Sequence, residues 1–186
     1  TPKPSSAASD VYKRQDGYTG LGVWRGGSLM LSKGSLQKID QEISKYPQGR
    51  ERSAIMAALT IAQMEKTYLS AEVIEYVAHY IGIPPAQALE VASFYNMYDL
   101  KPVGKYKLQV CTNLPCALQG GVNTAEYLKQ KLGIDFGETT ADGRFTLLQG
   151  ECLGACGDAP VMLLNNHKLC SYATEEMIDT MLAELI

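Results

Sequence analysis

The second half of this chain is organised around the sequence Gln149-Gly150-Glu151-Cys152-Leu153-Gly154-Ala155-Cys156-Gly157-Asp158-Ala159-Pro160. Its two cysteines, Cys152 and Cys156, have the spacing C-x3-C and lie among three glycines. A second pair, Cys111 and Cys116, lies upstream with the spacing C-x4-C, and 35 residues separate the two pairs. Cysteine thiolates are ligands for structural zinc and for iron–sulfur clusters. The four thiols therefore predict a metal centre.

The composition is that of a globular protein that can bury a core. The chain has 186 residues, of which 46% are hydrophobic and 20% charged. A net charge of −3 gives no reason to expect nucleic-acid binding. No apolar run approaches the length of about 18 residues that a membrane-spanning helix needs. Five cysteines, four of them in close pairs, favour metal ligands in a reducing compartment over a disulfide framework.

The sequence divides into three parts. Residues 1–30 are rich in serine, glycine and alanine and lack apolar periodicity, so we predict a disordered or non-native segment without a secretory signal. Residues 35–102 predict a small helical bundle domain, because apolar side chains recur there at helical spacing. Residues 103–186 predict a second domain that contains both strands and helices.

Four helices are predicted in the first domain, at residues 35–46, 50–68, 71–81 and 86–94. Ser70 is placed to cap the third helix, and Gly82 to end it. Pro84 and Pro85 precede the fourth helix, where proline fits the first turn.

The sequence of the second domain predicts its elements in the order strand, helix, strand, strand, strand, helix. The strands are expected at residues 105–111, 145–148, 161–164 and 168–172, and the helices at residues 117–132 and 175–185. The first helix is expected to bury Leu118, Val122, Ala125 and Leu128. A parallel pair of strands joined by a helix, followed by a hairpin and a covering helix, predicts an α+β protein with a thioredoxin-like α/β domain after its helical bundle.

Each cysteine pair follows a predicted strand, so both pairs are expected at one edge of the sheet. One interpretation is a 2Fe–2S cluster, with Cys111 and Cys116 on one iron and Cys152 and Cys156 on the other. The glycines at 150, 154 and 157 would let the backbone approach the cluster, and Leu114, Leu153 and Ala155 would partly exclude water. Structural zinc also accepts four thiolates, and disulfides or free thiols remain a third interpretation.

Three segments carry a resemblance to a known family. They are C-T-N-L-P-C-A-L-Q-G-G at 111–121, G-E-T-T-A-D-G-R-F-T-L at 137–147 and E-C-L-G-A-C-G-D-A-P at 151–160. Together with the four-cysteine spacing, they resemble the thioredoxin-like 2Fe–2S ferredoxin family, which includes a small iron–sulfur subunit of NADH-quinone oxidoreductase (respiratory complex I). The resemblance covers about residues 35–186.

The resemblance implies a function in electron transfer. It assigns Cys111, Cys116, Cys152 and Cys156 as cofactor-binding and metal ligands of one 2Fe–2S cluster, with no catalytic residue on this chain. It implies that FMN and NADH bind a partner flavoprotein subunit, that other complex I subunits are further partners, and that the chain lies on the cytoplasmic face of the inner membrane, or in the mitochondrial matrix if eukaryotic. The equivalent small subunit of an NAD-linked hydrogenase or formate dehydrogenase is an alternative. A zinc-stabilised interaction module is an alternative from a different class.

The remaining titratable candidates fall outside the ligand set. Cys170 lies on a predicted strand and is expected to be a buried free thiol. His79 and His167 are expected to be structural or surface residues. Asp158 follows Cys156 by two positions, so it is expected either to add negative charge near the centre or to cap its loop.

Overall fold

The computed structural model describes residues 30–185, and the predicted segment at residues 1–30 lies almost entirely outside the described residues. The chain divides into two compact units after Pro102. None of the helices within residues 30–185 has the length and apolar character required to cross a membrane.

Within residues 30–102, the first unit contains four α-helices: α1 (Lys33–Ile43), α2 (Ile55–Lys66), α3 (Ala71–Ile81) and α4 (Pro85–Phe94), with a short 3-10 helix at Glu51–Ala54 before α2. The Ser70 side chain accepts the backbone N–H of Val73 at 3.4 Å, as a capping serine does, and Gly82 ends α3 in the left-handed conformation at φ 83°. Ile39, Leu59, Tyr76 and Val77 are fully buried together in the core of this unit.

The second unit contains a four-stranded sheet and three helices. Its elements are β1 (Tyr106–Cys111), α5 (Leu114–Leu118), α6 (Gly121–Leu132), β2 (Phe145–Gly150), β3 (Met162–Leu164), β4 (Lys168–Cys170) and α7 (Glu175–Leu185). The strand order is β2-β1-β3-β4. β1 and β2 are parallel, whereas β3 is antiparallel to both β1 and β4, so the predicted layout is confirmed.

One face of the sheet packs against α6 and α7. Leu108 and Leu147 from the sheet are fully buried with Leu128 of α6 and Ile178 of α7. The 3.6-residue period of each helix and the two-residue period of each strand bring these side chains to one core. This core fixes the two parallel strands whose ends carry the cysteine loops.

The single helix predicted at residues 117–132 is wrong. Two helices occupy this region, because Gly120 adopts a left-handed conformation at φ 93° and separates α5 from α6. Leu118 is 76% exposed and Val122 is 48% exposed, although both were expected to be buried. Helical spacing counted across the break assigns Leu118 to the wrong face, whereas Val122 lies in the first turn of α6 at the edge of its buried stripe.

A charged turn leads into β2. The Asp142 carboxylate accepts hydrogen bonds from Thr140 Oγ1 at 2.5 Å, from the backbone N–H of Arg144 at 3.0 Å and from Arg144 Nε at 2.6 Å. These hydrogen bonds, first the one from Thr140 and then those from Arg144, lower the pKa of the Asp142 carboxyl to about 2. Hydrogen bonds to the ionised carboxylate stabilise its charged form.

We expect Asp142→Asn to lose a pH-dependent contribution to stability. An aspartate in an unfolded chain has a pKa of about 3.9, so the folded-state depression stabilises the protein above about pH 4 and is lost as the pH falls through about 2. The melting temperature of the wild type should therefore exceed that of the variant at pH 7, and the difference should close towards pH 2. A difference in melting temperature that stays the same from pH 7 to pH 2 would contradict this prediction.

Candidate metal centre

The two cysteine loops leave the same edge of the sheet. β1 ends at Cys111 and β2 ends at Gly150, and these two residues are paired in the parallel register. Cys116 follows β1 in the short helix α5, whereas Cys156 begins a 3-10 helix at Cys156–Asp158 in the second loop. Because parallel strands present their carboxyl ends at one edge, their pairing brings together loops that are far apart in sequence.

The four thiols differ in burial. Cys111 and Cys116 are each 1% exposed, and they pack with buried Val161 and with the half-buried Leu153 and Ala155. Cys152 and Cys156 are exposed. Leu114 is 70% exposed, so the expectation that it excludes water from the thiols is wrong. The site therefore has an inner, shielded pair and an outer pair that faces solvent.

The thiols are close enough to influence one another. The Sγ atoms of Cys152 and Cys156 lie 4.0 Å apart. Burial, followed by a hydrogen bond with the Cys111 thiol, raises the pKa of Cys116, and the charge of Cys156 also raises it. A hydrogen bond with Cys152, followed by the charge of that thiol, raises the pKa of Cys156, and the charge of Cys111 adds to it. The charge of a thiol in one pair therefore affects a thiol in the other pair. Adjacent thiolates favour a cation between them.

Backbone N–H groups also point at sulfur. Gly154 has a φ of 74°, which only glycine adopts without cost, and its N–H donates to Cys152 Sγ at 3.4 Å. The backbone N–H of Val161 donates to the Cys116 thiol and lowers its pKa, against the larger effect of burial. Such donors stabilise thiolates and, in iron–sulfur proteins, tune the cluster. This donor set fits a thiolate-ligated cluster.

Gly121 lets α6 begin directly against the first cysteine loop. A Cβ at this position would lie 2.8 Å from the carbonyl oxygen of Cys111 and 2.9 Å from that of Cys116. Both distances are shorter than Cβ contacts in real proteins, so only glycine fits. The sequence contains a Gly120-Gly121 pair, which signals a turn, but nothing in it reveals which backbone atoms Gly121 touches.

Hydrogen bonds between side chains join the two loops. Gln149 Nε2 donates to Thr112 Oγ1 at 2.7 Å, and Asn113 Nδ2 donates to Glu151 Oε2 at 3.1 Å. Each bond links the segment around one cysteine pair with the segment that leads into the other pair. No signal in the sequence marks either bond, since polar residues in loops have no periodicity.

The glycines predicted to admit the cluster have different roles. Gly150 is buried, and a Cβ there would lie 2.9 Å from Gln109 Cγ and 3.1 Å from the carbonyl oxygen of Val110, so its small size serves the packing of β2 on β1. Gly154 is the one that turns an N–H toward sulfur. A Cβ on Gly157 would meet no heavy atom of the described residues within 4 Å.

Of the other candidates, Cys170, His79 and His167 lie outside the two cysteine loops, whereas Asp158 lies within the second loop. Cys170 is buried, as expected, and its burial raises the pKa of its thiol. The Nδ1 atom of His167 contacts the carbonyl oxygen of Asn165 at 2.7 Å, and His79 lies on α3 beside Glu75. Asp158 accepts hydrogen bonds from Ser171 and Tyr172. Among residues 30–185, no three His, Cys, Asp or Glu side chains converge as around one metal ion, so the four thiols stand as two separate pairs, and the proposed 2Fe–2S cluster needs one pair for each iron.

Known proteins resemble this sequence over most of its length. Residues 39–186 match the thioredoxin-like [2Fe-2S] ferredoxin family. The chain is 43% identical over 156 residues to a subunit of the NADH-quinone oxidoreductase of Rickettsia felis, the one designated E, in an alignment that covers 82% of this chain and 93% of the relative. It is 40% identical over 147 residues to NADH-quinone oxidoreductase subunit 2 of Thermus thermophilus, covering 79% of this chain and 81% of the relative.

A solved structure shares the fold. A chain of an NAD+-reducing [NiFe]-hydrogenase in the air-oxidized state superposes with a TM-score of 0.61 at 23% sequence identity. The match covers 70% of this chain but only 22% of the hydrogenase chain, so it concerns about a fifth of that chain. From the fold, the paired cysteine loops and the sequence match over residues 39–186, this chain belongs to the thioredoxin-like [2Fe-2S] ferredoxin family.

Proposed function

We propose that this protein is the 2Fe–2S electron-transfer subunit of an NADH dehydrogenase complex, equivalent to its Rickettsia felis relative in NADH-quinone oxidoreductase. The observation that supports the proposal is that β1 and β2 end side by side, so that the loops with Cys111 and Cys116 and with Cys152 and Cys156 leave the same edge of the sheet. Four cysteine thiolates are the usual ligands of a 2Fe–2S cluster. Relatives named as NADH-quinone oxidoreductase subunits, at 40% and 43% identity over most of their length, support the parent complex.

Each half of the site has a separate task. Cys111 and Cys116 would hold the inner iron where Val161 and Leu153 exclude water, and Cys152 and Cys156 would hold the outer iron at the surface. The Gly154 N–H donates a hydrogen bond to Cys152 Sγ, and hydrogen bonds to the sulfurs of an iron–sulfur centre tune its potential. The bound cluster supplies single-electron exchange, a chemistry that no side chain of this protein provides.

The partner of this subunit would be a flavoprotein that binds NADH and FMN. A hydride leaves NADH with two electrons, so a flavin is needed to pass them on one at a time. In this proposal, NADH oxidation takes place on the partner and this chain exchanges one electron with the partner's flavin. The chain then lies at the membrane only through the complex, on the cytoplasmic face or in the mitochondrial matrix.

Metal and sulfide analysis of the purified protein is the first test. We expect iron and acid-labile sulfide in equal amounts, visible absorption beyond the protein bands, and an EPR signal from one unpaired electron after reduction with dithionite. Bound zinc without sulfide would contradict the proposal and would favour a zinc-stabilised interaction module, since zinc also takes four thiolates.

The co-purifying partner identifies the parent complex. Affinity purification of the tagged chain from its own cells, followed by mass spectrometry, should recover a flavoprotein together with other complex I subunits. Recovery of hydrogenase or formate dehydrogenase subunits instead would overturn the assignment to complex I and leave the cluster assignment standing.

A further inference from the structure

The outer cysteine loop is fastened at its far end through Asp158. Its carboxylate accepts a hydrogen bond from Ser171 Oγ at 2.9 Å and one from the Tyr172 hydroxyl at 3.3 Å. Its backbone carbonyl also accepts the N–H of Tyr172 at 2.9 Å. Three bonds therefore join this one residue to the segment that follows β4. We call the group of Asp158, Ser171 and Tyr172 the loop clamp.

The segment on the other side of the clamp is itself firmly held. Ala173 is fully buried, its N–H donates to the carbonyl oxygen of Pro160 at 2.8 Å, and its own carbonyl oxygen accepts Thr124 Oγ1 at 2.9 Å. Thr124 lies on α6, which packs on the sheet. The clamp thus ties an exposed loop to the core of the unit, whereas the residues from Glu151 to Ala155 have no regular secondary structure.

Tyr172 makes these contacts with its backbone in an uncommon conformation. Its φ is 51°, in the left-handed region that a bulky side chain rarely adopts. Strain of this kind costs about 1–3 kcal/mol and persists where the surroundings fix it, often next to functional sites. The side chain of Tyr172 is 58% exposed, so burial of its ring does not account for the conformation. In this conformation the backbone N–H and the hydroxyl of Tyr172 both donate to Asp158.

Asp158 and Cys156 belong to the same short turn. The N–H of Asp158 donates to the carbonyl oxygen of Ala155 at 3.0 Å, and the N–H of Ala159 donates to that of Cys156 at 3.4 Å. Holding Asp158 therefore fixes the backbone from which the exposed Cys156 thiol projects. We propose that Asp158, held by Ser171 and Tyr172, is a positioning residue that sets the place of the Cys156 thiol at the metal centre. This rests on the proposed function, because it presumes a bound cluster.

Three variants of the cluster-loaded protein test the clamp. Asp158→Ala removes the acceptor, the double variant Ser171→Ala/Tyr172→Phe removes both side-chain donors and keeps the charge, and Asp158→Asn keeps an acceptor oxygen but removes the charge. Loss of partners that orient a metal ligand typically lowers metal affinity about 10-fold to 100-fold. We expect the first two variants to lose iron to a chelator about 10-fold faster or more and to alter the EPR line shape, while Asp158→Asn stays within about 3-fold of the wild type.

The outcomes separate positioning from charge and from the proposed function. Equal shifts of redox potential in Asp158→Asn and Asp158→Ala, with a silent double variant, would show that Asp158 acts by charge and would overturn the clamp. Wild-type behaviour in all three variants would also overturn it. Absence of a cluster in the wild type would instead contradict the proposed function. If Asp158→Ala does not fold, the double variant decides, with Tyr46→Phe at another exposed tyrosine as its control.

Discussion

Replacing Cys116 by serine should give a folded protein that no longer retains iron or sulfide. Cys116 is 1% exposed and belongs to the inner thiol pair. A serine hydroxyl ionises far less readily than a thiol, and its hard oxygen suits zinc and iron–sulfur centres poorly. We expect the iron and sulfide content of the purified variant to fall to less than about a tenth of the wild-type value, since structural metal sites are built from their full ligand set.

Cys170→Ser is the matched control for this experiment. Cys170 is also a buried thiol of the second unit, at 8% exposed, but it contacts the carbonyl oxygen of Lys168 rather than another cysteine. Its variant should keep iron, sulfide and the visible spectrum of the wild type. Equal loss of the cluster in both variants would point to general damage of the fold, and full retention in Cys116→Ser would remove Cys116 from the ligand set. Circular dichroism of each variant reports whether the fold is intact.

Gly121→Ala should destabilise the protein and weaken its cluster at the same time. The new Cβ would lie 2.8 Å and 2.9 Å from two carbonyl oxygens, which are backbone atoms that cannot rotate away. Overpacking of this kind costs about 1–3 kcal/mol, whereas alanine in place of glycine in a helix gains at most about 1 kcal/mol. The steric cost therefore wins, and the first cysteine loop must move. Urea unfolding should show a lower free energy of unfolding, and iron loss to a chelator should be faster.

Gly34→Ala provides the matched control, because Gly34 also lies in the first turn of a helix. A Cβ there would meet only Ser32 Oγ, at 3.9 Å, which is an ordinary contact. This variant should be as stable as the wild type or more stable by up to about 1 kcal/mol, and it should keep its cluster. A Gly121→Ala protein that matches Gly34→Ala in both stability and iron retention would show that α6 can shift without disturbing the cysteine loop.

The sequence predicted most of the fold because its signals are local and repeat along the chain. Ser70 and Gly82 mark the ends of α3, and the alternation along β1 identifies the face that packs on α6. The parallel pair followed by a hairpin then follows from the order of elements. The helix at residues 117–132 failed for a related reason: Gly120 interrupts it, and the apolar spacing continues across the break as if none existed.

The sequence predicts which residues form the candidate site but not what surrounds them. Cysteine spacing alone selects Cys111, Cys116, Cys152 and Cys156. The difference between a buried and an exposed pair depends on what packs beside them, chiefly Val161 and Leu153. Likewise, the bonds between the loops and the contact of Gly121 with the first loop join residues distant in sequence, and single-chain periodicity carries no information about such contacts.

The parallel pairing of β1 with β2 makes capture of the cofactor a late event in the folding of this protein. Cys152 and Cys156 are neighbours in any conformation of the chain, but Cys111 reaches them only after β1 has found β2 across two intervening helices. The chain loses the entropy of closing this long connection before the strand contacts that compensate for it have formed. Non-local strand pairing is therefore slow. In an unfolded chain, only the two thiols of one pair lie near each other. All four come to the same edge of the sheet only after β1 has paired with β2. Binding of a cluster by all four thiols therefore requires that β1 and β2 have paired.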